Sequence, residues 1–344
     1  HKQFLDAFKN RFDVETKPRA DWYLQTRIQQ DEDLNIALDQ TRCAKSMVLR
    51  FLPEFASSEP KDTEVRKHSA PLPAEIRLST DDCSKDRSDA QGLEAECGFR
   101  YLELIGCFNW LACTGYEELF AMRKLCRFGN LPGTLHFKAA LHLLHHFRCH
   151  PPKALMFHHK VGHSPVCKMS QEIEDFDMNK HDPSFIVFAD SAHADCDKGK
   201  STAADLQVMQ GGLVDHCSWV PFPVPMSTAE SESNCYSAAI MRAKHTKKAF
   251  CKLRYNDEDA LHAIPILVDS SAAIAMNSSE NPTRKTRHIE SRFWCGRSNK
   301  EAGHIDFIKA KGDTQMPADP ATKPQSDRET QHYRCLFESP CIPA

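Results

Sequence analysis

Phe185-Ile186-Val187-Phe188-Ala189-Asp190-Ser191-Ala192-His193-Ala194-Asp195 is the stretch whose reading decides the fold. Its first five residues are apolar and rich in β-branched and aromatic side chains, which predicts a strand with a carboxylate at its end. The pattern recurs downstream, where Ile264-Pro265-Ile266-Leu267-Val268 runs into Asp269. Between the two, strands are expected near Leu206 to Met209 and Leu213 to Val220, followed by a long helix from about Thr228 to Leu253. Beyond Asp269 the pattern predicts a short helix from Ser270 to Asn277 and a basic helix through Arg292. A strand from Ile305 to Ala310 and a turn or helix from Pro317 to Thr322 complete the unit. Strands first, then strands alternating with helices, predict an α/β mixed sheet with flanking helices.

The acidic residues fall at the ends of these elements. Asp190 and Asp269 follow apolar strands, Glu230 and Glu232 open the long helix, and Asp319 lies after the last strand. Carboxylates at strand ends can converge on one edge of such a sheet, where α/β folds place their ligands. Converged carboxylates repel unless cations neutralise them, and magnesium suits the task as a hard ion that binds carboxylate and phosphate oxygens. Taken singly, each acid also reads as an ordinary cap or surface residue. Ser227-Thr228-Ala229-Glu230 is a common helix start, and Asp269 could cap the helix after it.

The local sequences around these acids resemble the ribonuclease H region of copia-type retrotransposon Pol polyproteins. Phe188-Ala189-Asp190-Ser191-Ala192-His193-Ala194-Asp195 with Lys200-Ser201-Thr202 resembles Y-S-D-A-D-W-A-x-D with its downstream K-S-T. Ser227-Thr228-Ala229-Glu230-Ser231-Glu232 is similar to S-T-x-E-A-E, and Val268-Asp269-Ser270-Ser271-Ala272-Ala273-Ile274 to C-D-N-x-S-A-I. Thr286-Arg287-His288-Ile289-Glu290-Ser291-Arg292 is similar to T-K-H-I-D-I-R, and Ala318-Asp319-Pro320-Ala321-Thr322-Lys323-Pro324 to A-D-I-L-T-K-P. The motifs stand in the family's order.

The resemblance implies a ribonuclease H-like mixed sheet in which Asp190, Glu232, Asp269 and Asp319 are the catalytic, metal-binding carboxylates. It implies two Mg²⁺ ions, with Mn²⁺ as a substitute, and hydrolysis of the RNA strand of an RNA/DNA hybrid. Glu232 is preferred to Glu230 because the family's active acid lies a few residues into the helix, which leaves Glu230 as a capping-box acid. Arg284, Arg287, His288 and Arg292, spaced to line one helical face, are the expected nucleic-acid contacts. The implied setting is the replicating element: the rest of the Pol polyprotein as partner and a cytoplasmic virus-like particle, with nuclear access, as location.

Upstream, Tyr101-Leu102-Glu103-Leu104-Ile105-Gly106-Cys107-Phe108-Asn109-Trp110-Leu111-Ala112 is similar to the family's Y-R-x-L-I-G-x-L-x-Y-L-A. Asp21-Trp22-Tyr23-Leu24-Gln25-Thr26-Arg27-Ile28 is similar to L-x-Y-F-L-G-I-x-I. The resemblance therefore implies that residues 1–55 are the tail of a reverse-transcriptase palm and thumb. A polar connector over 56–97 and a mainly helical thumb or connection region over 98–158 would follow. Residues 159–183 are expected as a linker, 184–325 as the ribonuclease H-like domain and 326–344 as a tail. Within the first unit, alternation from Trp22 to Leu38 predicts a hairpin, and apolar spacing predicts helices around Phe51, from Phe99 to Ala112, through Phe128, and from Thr134 to Arg148. No aromatic-x-Asp-Asp motif is present, so polymerase activity is not expected of this chain.

Composition sets outer bounds. The formal net charge is −3, which supplies no global basic field, so nucleic-acid contacts must come from local patches. The 15 cysteines are scattered without regular spacing and read as reduced thiols. No apolar run approaches the ~20 residues of a membrane-spanning helix. The first residue is His1, with Phe4, Phe8 and Phe12 at helical spacing, and the chain reads as a piece of a larger protein.

Two features compete with this reading. The run His136, His142, His145, His146, Cys149, His150, His158, His159 and His163 could suggest zinc, but no C-x-x-C or H-E-x-x-H accompanies it, and a His-rich helix surface is preferred. Neither Cys149 nor Cys235 sits in a recognisable nucleophile setting. The family's pattern is also altered: His193 replaces the expected Trp, Ala203-Ala204-Asp205 lacks the expected Gly, and Trp219-Val220-Pro221-Phe222-Pro223 carries prolines that would disturb an interior strand pairing. The rival expectation is therefore a catalytically inactive, degenerate remnant that keeps the fold and binds nucleic acid weakly at most.

Overall fold

The structure is a computed structural model that describes residues 6, 9–11, 21–55, 58–255, 263–278, 290–312, 314–324, 332–333 and 335–339. Two five-stranded sheets organise it. The first part begins with strands β1 (Trp22–Tyr23), β2 (Thr26–Gln30) and β3 (Ile36–Asp39) and helix α1 (Thr41–Phe51). Helices α2 (Asp62–Lys67), α3 (Arg87–Cys97), α4 (Tyr101–Leu111), α5 (Leu119–Cys126) and α6 (Thr134–Cys149) follow, then strand β4 (Ala154–Phe157) and helix α7 (Pro165–Gln171). The second part contains β5 (Phe185–Ala192), β6 (Thr202–Met209), β7 (Gly212–Trp219), α8 (Thr228–Tyr255), β8 (Ile264–Val268), α9 (Ser271–Ser278), α10 (Glu290–Glu301) and β9 (Ile305–Lys309). The last strand is β10 (Glu338–Ser339).

The second sheet runs β7-β6-β5-β8-β9. β5, β6 and β7 form an antiparallel meander, whereas β8 lies parallel to β5 and β9 parallel to β8. This is the expected α/β mixed sheet with flanking helices. β5 is central, and seven of its eight residues are buried, as expected of a strand covered on both faces. One face packs Val187, Ala189 and Ile266 beneath Cys235, Tyr236, Ala239, Ile240 and Ala243 of α8. The other packs Ile186, Phe188, Leu206 and Leu267 against Val166 and Met169 of α7, with Ile173, Phe176 and Met316. Each fully buried Val, Leu, Ile, Phe or Met among them contributes roughly 1.5–3 kcal/mol.

β7 ends at Trp219, so Pro221 and Pro223 fall beyond the strand. The expected disturbance of pairing does not arise, because every β6–β7 pair lies N-terminal to the prolines.

The other sheet runs β1-β2-β3-β4-β10. The expected hairpin is present as β2 and β3, paired from Arg27 with Asp39 to Gln30 with Ile36. β4 adds to β3, and β10 from the C-terminal segment closes the far edge against β4. Helices α1, α4, α5 and α6 share one core built on Phe51, Tyr101, Leu104, Phe108, Leu125, Phe137 and Phe147. The polar stretch 58–97 folds onto it, burying Leu72 and Leu78.

The histidines of α6, and His150 just after it, do much of that attachment. His136 Nε2 lies 3.2 Å from the Ser79 carbonyl, His142 Nε2 3.0 Å from that of Ala70, His146 Nδ1 2.7 Å from that of His68 and His150 Nε2 3.1 Å from that of Val65. The expectation of a His-rich surface is corrected here, since His136 and His146 are fully buried. A segment without regular strands has carbonyls to satisfy when it is buried, and imidazole N–H groups satisfy them.

Candidate metal centre

The strand register brings the first two acids together. Val187 pairs with Ile266 and Phe188 with Leu267 across two parallel strands, so Asp190 and Asp269 emerge side by side at one sheet edge. Asp190 lies within β5, opposite Ala204, rather than beyond the strand. Asp269 does not cap α9, because Ser270 Oγ takes that role by accepting from the Ala273 N–H at 3.2 Å. The Asp269 carboxylate is thereby free to face the sheet edge.

Glu232 arrives from the first turns of α8. That helix is fixed to β5 by the Ser231 and Ser191 hydroxyls, 2.5 Å apart, and by the Cys235 thiol, which donates to the Asp190 carbonyl at 3.1 Å. Carboxylate oxygens of Asp190, Glu232 and Asp269 all lie within 4.8 Å of one another, and this is the only cluster of its kind among the described residues. Glu230 points elsewhere: its carboxylate accepts from the Met226 N–H at 2.7 Å, and its own N–H donates to Ser227 Oγ at 3.2 Å. It works as a helix-start residue, one position wider than the expected capping box.

Asp319 joins from the turn after β9. It is buried beside Asp190, and the Lys323 ammonium lies 2.8 Å from its Oδ2. The next residue but two, Thr322, donates its hydroxyl to Asp190 Oδ2. Thr322 and Lys323 were not singled out in the sequence as site residues, although both stand in the motif that carries Asp319. Gly312 completes the wall, since a Cβ there would meet Asp269 Oδ2 at 2.9 Å.

The electrostatics are those of crowded, buried carboxylates. Burial, then the charges of Asp190 and Asp269, push the Glu232 carboxyl up to about 9. Burial and Asp190 push Asp319 up to about 7 against the pull of Lys323. Asp269 is raised by the same two causes. For Lys323, burial opposes the charge, but Asp319, Asp190 and Asp269 together hold its pKa above the usual lysine value.

Oε2 of Glu232 and Oδ1 of Asp319 are buried with no well-formed hydrogen bond, although Tyr236 lies beside Glu232 and Asp190 beside Asp319. Such buried acceptors in an acidic cluster are what a hard divalent cation satisfies, so the donor set fits such an ion. Of the expected basic contacts, Arg284, Arg287 and His288 lie outside the described residues. Arg292 falls in α10, and its side chain lies outside them too.

No protein-family model matches the chain, and no curated protein does. Among solved structures, the chain is similar to LC11-RNase H1 isolated from compost, at 11% identity and a TM-score of 0.30, covering 40% of this chain and 92% of that one. It is similar to RNase H1 of the halophilic archaeon Halobacterium salinarum, at 11% identity and a TM-score of 0.27, covering 44% and 93%. It is also similar to the N-terminal RNase H domain of a Mycobacterium tuberculosis protein, at 9% identity and a TM-score of 0.27, covering 43% and 98%.

Proposed function

We propose that the second sheet and its helices form a ribonuclease H that hydrolyses the RNA strand of RNA/DNA hybrids. The observation that carries this reading is the convergence of Asp190, Glu232 and Asp269 oxygens within 4.8 Å at one sheet edge, with Asp319 beside Asp190. Asp190, Glu232, Asp269 and Asp319 would hold two divalent ions, which supply activation of water and stabilisation of the leaving oxygen at the scissile phosphate.

The chain's own groups prepare that chemistry. β5 and β8 hold Asp190 and Asp269 on rigid, paired backbone, and α8 brings Glu232 onto the same point. Thr322 orients Asp190 through its hydroxyl, and Lys323 balances Asp319 from one side. The polypeptide excludes water from the back of the cluster, so charge placed there is worth more than it would be in bulk solvent.

The motif order supports an origin in a copia-type retrotransposon Pol, with residues 1–55 as reverse-transcriptase tail, 56–97 as polar connector, 98–158 as helical thumb or connection region and 184–325 as the nuclease. The deciding assay is Mg²⁺-dependent cleavage of a labelled RNA/DNA hybrid by the purified chain, with Asp190→Asn and Asp269→Asn alongside and duplex DNA as control. Hybrid-specific cleavage abolished by both substitutions is expected. A folded protein that cleaves nothing in Mg²⁺ or Mn²⁺ would instead be the inactive remnant.

A further inference from the structure

Away from the carboxylates, a cleft of about 270 Å³ lies between α5 and the β6–β7 side of the sheet, lined by Phe120, Arg123, Lys124, Arg127, Lys200 and Trp219 among others. Its position is set by register. Thr202 pairs with Ala192 and Trp219 with Ala203, so the start of β6 and the end of β7 lie at the same sheet edge as Asp190, which pairs with Ala204. The Asp319 turn packs against both α5 and β6.

The charge in the cleft is only partly balanced. Lys124 is paired with Asp195 at 3.2 Å and Arg127 with Asp197 at 2.7 Å. Asp197 is further engaged by the backbone N–H and the hydroxyl of Thr80, at 3.2 and 3.0 Å. Arg123 and Lys200 have no carboxylate partner among the described residues. Arg123 Nε and Arg127 Nη1 are buried donors without an acceptor. Leaving such donors unmet is unfavourable, more so when the group is charged, and an anionic oxygen in the cleft would offset it. In a chain of net charge −3, this concentration of cations is a local feature. The half-buried ring of Trp219 stands beside them, as at sites where cations hold a backbone and an aromatic face receives a base.

We propose that this cleft binds a backbone phosphate of the nucleic-acid strand that crosses the carboxylate cluster, so that α5, from the first part of the chain, supplies part of the substrate surface. The proposal rests on the nuclease reading for the path of the strand, and its test reads binding, not cleavage.

In an Asp190→Asn background, which spares the probe, binding of a fluorescein-labelled RNA/DNA hybrid is measured by anisotropy over a range of salt. The variants are Lys200→Ala, the double Arg123→Ala/Lys200→Ala, and the control Lys168→Ala, exposed on α7. Each variant is first checked for an unchanged melting transition; should the double variant not fold, Lys200→Ala is paired with Lys200→Glu. The double variant is expected to weaken binding about tenfold and to lower the slope of log K against log salt by about two, with the control unchanged. Unchanged slope and affinity in folded variants, or a parent protein that binds no nucleic acid, would each overturn the proposal. A slope change in a chain whose unsubstituted form never cleaves would keep the cleft and remove the nuclease.

Discussion

The hydroxyl of Thr322 donates to Asp190 Oδ2 across 132 residues of sequence, and its own residue is fully buried. The same hydroxyl lies 3.0 Å from the Asp319 carbonyl, so one side chain locks the Asp319 turn to the central strand. Replacing it by valine keeps the volume and removes the donor. Thr322→Val should lower cleavage about tenfold, raise the Mg²⁺ concentration needed for half-maximal activity, and cost about 1–3 kcal/mol of stability by leaving an Asp190 oxygen unmet. A Mg²⁺ titration of activity checks this, and an unchanged half-saturation would assign Thr322 a purely structural role.

Glu232 should make metal-free stability fall as pH rises. Its carboxyl is pushed up to about 9, so the folded state binds more protons than the unfolded state between the ordinary glutamate range and that value. Stability contributed by this group is complete at low pH and is lost as pH climbs through the window. Mg²⁺, which needs the ionised form, should therefore raise the melting temperature more at about pH 8 than at about pH 5.5. Glu232→Gln should stabilise the metal-free protein at the higher pH and reduce the Mg²⁺ response. Thermal melting with and without Mg²⁺ decides it; a response independent of pH would count against the cluster as the metal site.

Gly312 presses on Asp269, where an added Cβ would meet Oδ2 at 2.9 Å. The contact is with the end of a side chain, so Gly312→Ala should be folded but should push the Asp269 carboxylate off its position. We expect cleavage to drop about tenfold or more with little change in stability. Equal activity would mean that Asp269 moves without consequence.

The histidine attachment of the 58–82 stretch should fail in acid. Burial, then the neighbouring His142 and His145, push His68 down to about 4, and burial lowers His136, His142 and His145 as well. A lowered histidine pKa means that the folded state holds fewer protons than the unfolded state. Stability is then present above the usual imidazole value and is lost as pH falls towards 4. Melting temperature should decline from about pH 7.5 to about pH 5, and His68→Gln should flatten that decline; parallel curves for the two proteins would refute the assignment.

Local pattern carried much of this. The strands at Phe185 and Ile264, the long helix from Thr228 and the turn at Asp319 were legible because each is a short apolar run or helical repeat ending in a polar residue. The choice of Glu232 over Glu230 rested on family resemblance, and the geometry puts Glu232, not Glu230, against Asp190 and Asp269. Other elements left little trace. β4 is only Ala154–Phe157 after two prolines, and it becomes a strand by pairing with β3 and β10. α7 and the segment after it bury Val166, Met169, Ile173 and Phe176, whose i, i+3, i+7, i+10 spacing is a helical signal masked by the polar residues around it.

By itself the sequence determined the identity and order of the acidic motifs and the type of element that carries each, because these depend on neighbours a few positions apart. Only the tertiary structure decided that three carboxylates share one point, that Ser270 releases Asp269 from capping, that Thr322 and Lys323 belong to the site, and that α5 faces the same sheet edge. Those outcomes depend on strand register and on contacts between residues far apart in the chain, where a shift of one position turns a side chain to the opposite face of the sheet.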